Sequence, residues 1–136
     1  MKLKICIIVS KFNGDITTKI QNDAVHKLRK FGLKDKYLKV IYVEGAFEIP
    51  YAISRLINKY DGFIAVGCII KGETPNFDFI SRAITNGIMQ LSILNKKPIG
   101  NAVITCLNEE QAKKRIFKGE KAASAVLDLL DNSYLK

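Results

Sequence analysis

The stretch Phe63-Ile64-Ala65-Val66-Gly67-Cys68-Ile69-Ile70, closed by Lys71-Gly72-Glu73-Thr74-Pro75-Asn76, decides how the chain folds. An apolar, β-branched run of this length is short for a helix and has no polar alternate positions. It reads as a strand covered on both faces of a parallel sheet. Thr74-Pro75 then reads as an N-cap followed by proline at the first helical position, opening a helix with the stripe Phe77, Ile80, Ile84, Ile88 and Leu91. Outward from this unit, residues 3–9, 37–43 and 99–105 are similar apolar runs. Helical periodicity fills the intervals: Ile16, Ile20, Ala24, Leu28 and Phe31, with Asp15 placed as cap and Gly32 as stop, then Ile53, Leu56, Ile57 and Tyr60 after a start near Glu48 that tolerates Pro50. Residues 108–134 read as helical with a break near Lys118-Gly119. The alternation predicts an α/β fold, a single three-layer domain with a four-stranded parallel sheet flanked by helices.

Length and composition agree with that reading. The 136 residues, 48% hydrophobic, suffice for one compact domain spanning residues 1–136 with its own core. No run approaches the length of a membrane span, and the start MKLKICIIVS lacks the pattern of a secretory leader, so a cytoplasmic protein without membrane contact is expected. Cys6, Cys68 and Cys106 lie in or beside apolar runs, form no CxxC and stand apart from the only histidine, His26. They read as reduced core thiols, and neither a metal site nor a disulfide framework is expected. The net charge of +9 raises the question of nucleic acid. Only four of the 22 basic residues are arginines, and the lysines are scattered along the chain without interleaved aromatics, so no nucleic-acid partner is expected. The charge favours a phosphorylated or otherwise anionic small substrate.

In an open parallel sheet the ligand site lies beyond the carboxyl ends of the strands. The loops there are Ser10-Lys11-Phe12-Asn13-Gly14, Glu44-Gly45-Ala46-Phe47-Glu48, Lys71-Gly72-Glu73-Thr74-Pro75-Asn76 and Cys106-Leu107-Asn108. Phe12 and Phe47 answer to no core periodicity; each either offers a ring for stacking on a planar heteroaromatic ligand or plugs the end of the sheet. Glu48 can accept from a polyol or amine, or interact with the positive end of its own helix. Gly72 to Asn76 leads into a helix start whose free N–H groups suit an anion, with Lys71 beside it. His26 sits on a helix among Lys27 and Arg29, so no Ser-His-Asp set is available. That leaves chemistry by positioning and electrostatics, such as an amine–carbonyl condensation, with no cofactor.

Lys11-Phe12-Asn13, Gly45-Ala46-Phe47-Glu48-Ile49-Pro50, Gly72-Glu73-Thr74-Pro75-Asn76-Phe77-Asp78-Phe79, Pro98-Ile99-Gly100 and Asn108-Glu109-Glu110-Gln111-Ala112, in this order, closely resemble the 6,7-dimethyl-8-ribityllumazine synthase family over almost the whole chain. The resemblance implies a transferase that joins 5-amino-6-(D-ribitylamino)uracil to 3,4-dihydroxy-2-butanone 4-phosphate in riboflavin biosynthesis, without metal or organic cofactor. It implies homo-oligomers, pentamers or multiples of pentamers, with sites at subunit interfaces. Residue by residue, it assigns Phe12 to stacking on the pyrimidine and Ala46, Phe47 and Glu48 to holding the uracil and ribityl chain. Cys68, Ile69 and Ile70 fall to the strand end that meets the ring, and Glu73 and Thr74 to the backbone amides facing the phosphate. Arg115 falls to the guanidinium that binds this phosphate across the interface, a task its fork suits.

Several positions depart from the family pattern. Asn76 stands where the family carries its proton-transferring histidine, and an amide cannot act as general acid or base near neutrality. A slower but real synthase is the expectation, with a catalytically impaired homologue kept for precursor binding or assembly as the alternative. Asn101 replaces a common phenylalanine over the pyrimidine. The segment after Arg115 is several residues shorter than usual, with Lys118 its candidate for the lysine found there. The chain starts close to its first strand, without the N-terminal extension of many members.

Overall fold

The computed structural model describes residues 2–136. In chain order the elements are β1 (Ile5–Ser10), α1 (Gly14–Phe31), β2 (Leu38–Val43), α2 (Ile49–Leu56), β3 (Gly62–Ile70), α3 (Asn76–Asn95), β4 (Ile99–Cys106), α4 (Glu109–Lys113) and α5 (Lys118–Asp131). Short 3₁₀ turns occupy Asp35–Tyr37, Ala46–Glu48 and Ser133–Leu135. The four strands form one sheet in the order β2-β1-β3-β4, every pairing parallel, as the apolar runs predict. Ile5 lies opposite both Leu38 and Gly62, and Phe63 opposite Ile99. The chain leaves β1 toward β2 on one side and finds β3 on the other. That reversal places a crevice at the carboxyl ends of β1 and β3.

Two cores cover the two faces. Ile5, Ile7 and Val9 of β1 meet Ile64 and Val66 of β3 beneath α1 and α5, whereas Cys6, Ile8, Phe63 and Ala65 face α2 and α3. This is why β1 and most of β3 carry no polar alternation: each is buried on both sides. α5 approaches closely enough that glycine is required. A Cβ at Gly119 would overlap the Ile20 carbonyl of α1, and one at Gly100 would stand 2.6 Å from the Ala122 carbonyl oxygen. Asp23 of α1 accepts the Glu120 N–H through Oδ2 at 2.7 Å, which caps the first turn of α5 from another helix.

The strands match their predicted runs to within a residue or two. β1 starts later than residue 3 because Lys4 is engaged in a loop clasp, its N–H donating to Asp61 Oδ2 at 2.8 Å and its carbonyl accepting from Asp61 at 2.7 Å. Helix starts differ more. Asp15 does not cap α1: the N-cap is Asn13, in the left-handed region at φ 58° and ψ 42°, and Asp15 lies in the first turn, where a carboxylate suits the helix dipole. Thr74 does not cap α3 either. Pro75 occupies the N-cap and Asn76 is the first helical residue, with no side chain capping the start. The expected break near Lys118-Gly119 falls before those residues, in the turn joining α4 to α5, and Gly119 lies inside α5. Phe31, expected on the buried stripe, is 45% exposed at the fraying end of α1, and Ile80 of α3 is 36% exposed. On α3, Phe79, Met89, Ile93 and Leu94 also face outward.

Candidate functional site

The crevice between β1 and β3 is built first by backbone. Lys11 and Phe12 extend the ladder beyond β1, their N–H groups donating to the Val43 and Glu44 carbonyls at 2.8 and 3.1 Å. Asn13 then turns the chain into α1, and its Nδ2 donates to the Cys68 carbonyl at 2.9 Å, which ties the first loop to the end of β3. Thr17, buried one turn into α1, donates to the Ser10 carbonyl at 2.7 Å and fixes the helix over the strand end. Held this way, Phe12 projects outward with 71% of its surface exposed. It does not plug the sheet, and neither does Phe47, which is 63% exposed beyond β2. The exposure contradicts plugging for both rings and leaves them open to a ligand or to a neighbouring surface.

Glu48 closes its own turn. Its Oε1 accepts the Gly45 N–H at 2.9 Å, so part of this carboxylate acts locally. Ala46 packs against the core beneath α2 and α3, and its Cβ lies 3.2 Å from where a Cβ at Gly67 would stand. A side chain at position 67 would therefore crowd the loop bearing Phe47. Nearby, Lys11 and Glu44 form an exposed ion pair at 3.2 Å.

At the end of β3, Cys68 is buried and Ile69 and Ile70 are half-buried. Burial pushes the Cys68 thiol up to about 11, with the neighbouring Cys106 adding to the shift, and pushes Cys6 up to about 12. Neither is a thiolate at neutral pH, and all three cysteines are unpaired and buried. Beyond Ile70 the loop of Lys71, Gly72, Glu73 and Thr74 is exposed and runs into the uncapped start of α3. Asp78 N–H donates to the Pro75 carbonyl at 3.2 Å, and no side chain caps the N–H groups ahead of it, at Asn76 and Phe77; Asn76 is itself exposed.

Arg115 is positioned from the other edge of the sheet. Asn108 Oδ1 accepts the Gln111 N–H at 2.9 Å while Gln111 Oε1 accepts the Leu107 N–H at 2.8 Å, a reciprocal pair that fixes the start of α4 directly after β4. Arg115 follows that short helix and returns to the strand, its Nη1 donating to the Thr105 carbonyl at 2.9 Å. Together with Asn101, Val103, Phe117 and Lys118 it lines a cleft of about 440 Å³ along β4. Asn101 is exposed there, its Oδ1 accepting from the Val103 N–H at 3.0 Å. Lys118 Nζ lies 5.7 Å from the centre of the Phe117 ring.

Within one chain, then, the predicted site residues form two groups rather than one. Phe12, Ala46, Phe47, Glu48, Cys68, Ile69, Ile70, Glu73, Thr74 and Asn76 surround the loops after β1, β2 and β3. Asn101, Arg115 and Lys118 line the separate cleft at β4. Sequence reasoning gave no role to Asn13 or Thr17, whose partners are main-chain carbonyls that only the fold brings near. The one legible signal was the Asn13-Gly14 pair at a helix start, since asparagine tolerates the left-handed conformation found there. Among the described residues no cluster of His, Cys, Asp and Glu is arranged to hold a metal, and no helix is long and apolar enough to cross a membrane.

The sequence model of the family described as 6,7-dimethyl-8-ribityllumazine synthase matches residues 2–133. Proteins bearing that name are similar along most of the chain. The one from Helicobacter pylori strain Shi470 is 36% identical over 134 residues, covering 93% of this chain and 86% of its own. That from Leuconostoc mesenteroides is 36% identical over 132 residues, covering 94% and 85%, and that from Ruthia magnifica 36% over 143 residues, covering 98% and 86%.

Proposed function

Because the chain belongs to the 6,7-dimethyl-8-ribityllumazine synthase family, we propose that it condenses 5-amino-6-(D-ribitylamino)uracil with 3,4-dihydroxy-2-butanone 4-phosphate. The amine of the pyrimidine forms an imine with the butanone carbonyl and a first water leaves; elimination of phosphate gives an enol that ketonises, and attack of the ribitylamino nitrogen on that new carbonyl with loss of a second water closes the lumazine ring. Two substrates held in register gain the large entropic advantage of an intramolecular reaction, and the steps need neither metal nor redox cofactor. Phe12 offers the stacking face for the pyrimidine, and the Ala46-Phe47-Glu48 turn and the end of β3 flank the ring and ribityl chain. The backbone amides at Glu73 and Thr74 receive the phosphate.

The observation that carries the arrangement is the division of the site residues between two places on one chain. The phosphate-binding guanidinium of Arg115 hangs from β4, at the sheet edge opposite β2 and its Phe47 loop. A site using both is completed by placing the β4 cleft of one subunit against the β1–β3 crevice of the next. Repeated around a ring, this heterologous contact closes into a homopentamer or a multiple of one. The outward apolar side chains of α3 supply further surface that such packing covers. The whole chain acts as one catalytic unit, in the cytoplasm, where both small substrates reach it.

Mixing the purified protein with both substrates and following lumazine absorbance tests the activity. A rate no greater than the spontaneous condensation would overturn it. Subunit complementation tests the shared site: Phe12→Ala and Arg115→Ala proteins, each strongly impaired at substrate concentrations below the parent's KM, regain activity there when dissociated and reassembled together, because some interfaces then receive both intact halves. Mixed assemblies as inactive as their parents would place both residues in one subunit's site.

A further inference from the structure

Six of the lysines scattered in sequence are gathered by the fold at the opposite end of the sheet, where the strands begin. Lys4 precedes β1, Lys36 lies in the Asp35–Tyr37 turn, Lys39 is on β2 and Lys59 follows α2. These four, with Tyr37, Leu38, Asn58 and Tyr60, line a cleft of about 500 Å³. Tyr37 is also a wall of a second hollow, of about 400 Å³, to which Lys2 and Lys34 belong. Among the described residues none of these six lysines forms an ion pair with an acidic side chain. The acids in this region are otherwise engaged: Asp35 takes Arg29 Nε and Nη2 at 2.9 and 3.2 Å, and Asp61 Oδ2 takes the Lys4 N–H. Lys36 Nζ is held 5.2 Å from the centre of the Tyr37 ring, which keeps its charge at the cleft.

Like charges lining one cleft repel, and none of these ammonium groups is paired with a carboxylate. We propose that the Lys4-Lys36-Lys39-Lys59 cleft is a second anion site, distinct from the condensation site, which takes a small molecule carrying three or more consecutive phosphoryl groups. A single phosphate leaves most of the ammonium charge uncompensated, whereas an oligophosphate chain meets several ammonium groups at once. Lysines suit such a chain because they act as mobile point charges and impose no bidentate geometry. The cleft has the volume of a small-molecule pocket, roughly 300–1,000 Å³, rather than the form of a long stripe. Tyr37 and Tyr60 are half-buried, Tyr60 packing edge-on against Phe63, so the cleft lacks the open aromatic faces on which nucleic-acid bases stack.

Calorimetric titration of the assembled full-length protein with inorganic tripolyphosphate tests this, with orthophosphate as comparison. One tripolyphosphate binds per chain, more tightly than orthophosphate, and raises Tm. The K36Q/K39Q/K59Q variant loses about tenfold to a hundredfold in affinity, while K19Q/K27Q/K121Q, with the same change in charge elsewhere, stays within about twofold of the parent. All three cleft substitutions are at exposed positions, and far-UV circular dichroism of the unliganded variant checks that it folds. Equal losses in the two triple variants would overturn the proposal in favour of bulk charge. Loss in Arg115→Ala with the K36Q/K39Q/K59Q variant unaffected would reassign the binding to the condensation site. Tight binding of a DNA duplex of about twenty base pairs, without tripolyphosphate binding, would also overturn it and make the surface a nucleic-acid contact.

Discussion

At position 76 an amide stands at the mouth of the crevice, on the first residue of α3 and exposed to whatever occupies it. It can hold a water or a substrate oxygen but cannot exchange protons at neutral pH, and in the proposed reaction solvent or the substrate's own phosphate takes that part. Asn76→His is therefore expected to raise kcat, by up to about 10²–10⁴-fold if the imidazole reaches the reacting atoms, and to introduce a pH dependence near its own titration. Steady-state rates across pH 5–9 check this. Arg115→Ala removes charge-assisted hydrogen bonds worth about 1.5–3 kcal/mol, so KM for the phosphorylated substrate is expected to rise about tenfold or more while that for the pyrimidine changes little. The residues to which these roles are assigned were legible as types in loops. Phe12 and Phe47 stood out because no periodicity claimed them, but only their exposure decided between display and plugging. Asn13 stayed silent because its partner, the Cys68 carbonyl, is 55 positions away.

Strands announced themselves more clearly than helix starts. Burial on both faces leaves an uninterrupted apolar run, whereas a cap depends on which of several neighbouring polar residues wins the local geometry. At α3 the fixed φ of Pro75, −71°, fits the cap position itself, and Thr74 is displaced one residue outward. Gly119 misled for a related reason: a glycine in a helical pattern reads as a break, yet here it is the contact at which α5 touches α1. Gly119→Ala is expected to cost about 1–3 kcal/mol by forcing the two helices apart, visible as a lowered urea midpoint with unchanged m. Asp23→Ala leaves the Glu120 N–H uncapped and is expected to cost about 1 kcal/mol in the same measurement.

For the molecule as a whole, the all-parallel sheet and its helices followed from the alternation of runs, while the division of the site did not, because residues far apart in space give no sign of it in a linear pattern. The outward apolar side chains of α3 make one test of the proposed assembly direct: if they are its contact, Ile93→Glu, at a position 65% exposed in the single chain, gives a smaller species than the parent in sedimentation velocity with the helical content intact. The buried thiols set an alkaline limit. Their folded-state values, about 12 for Cys6 and about 11 for Cys68, lie above the 9.0 of an ordinary thiol, so the unfolded chain sheds these protons first as pH rises. Stability is untouched by them below pH 9 and declines from there toward 12, and Cys6→Ala should flatten part of that decline in urea titrations between pH 8 and 11. The cap that Asp23 places on α5 joins positions separated by 97 residues, the near beginning of the chain to its final long helix. During synthesis the ribosome delivers α5 after every strand has been made, so a nascent chain can pair β1 with β2 but has nothing to lay over α1 until α5 has emerged. Until then the apolar face of α1 that α5 covers stays bare, which leaves partly made chains as natural clients of chaperones.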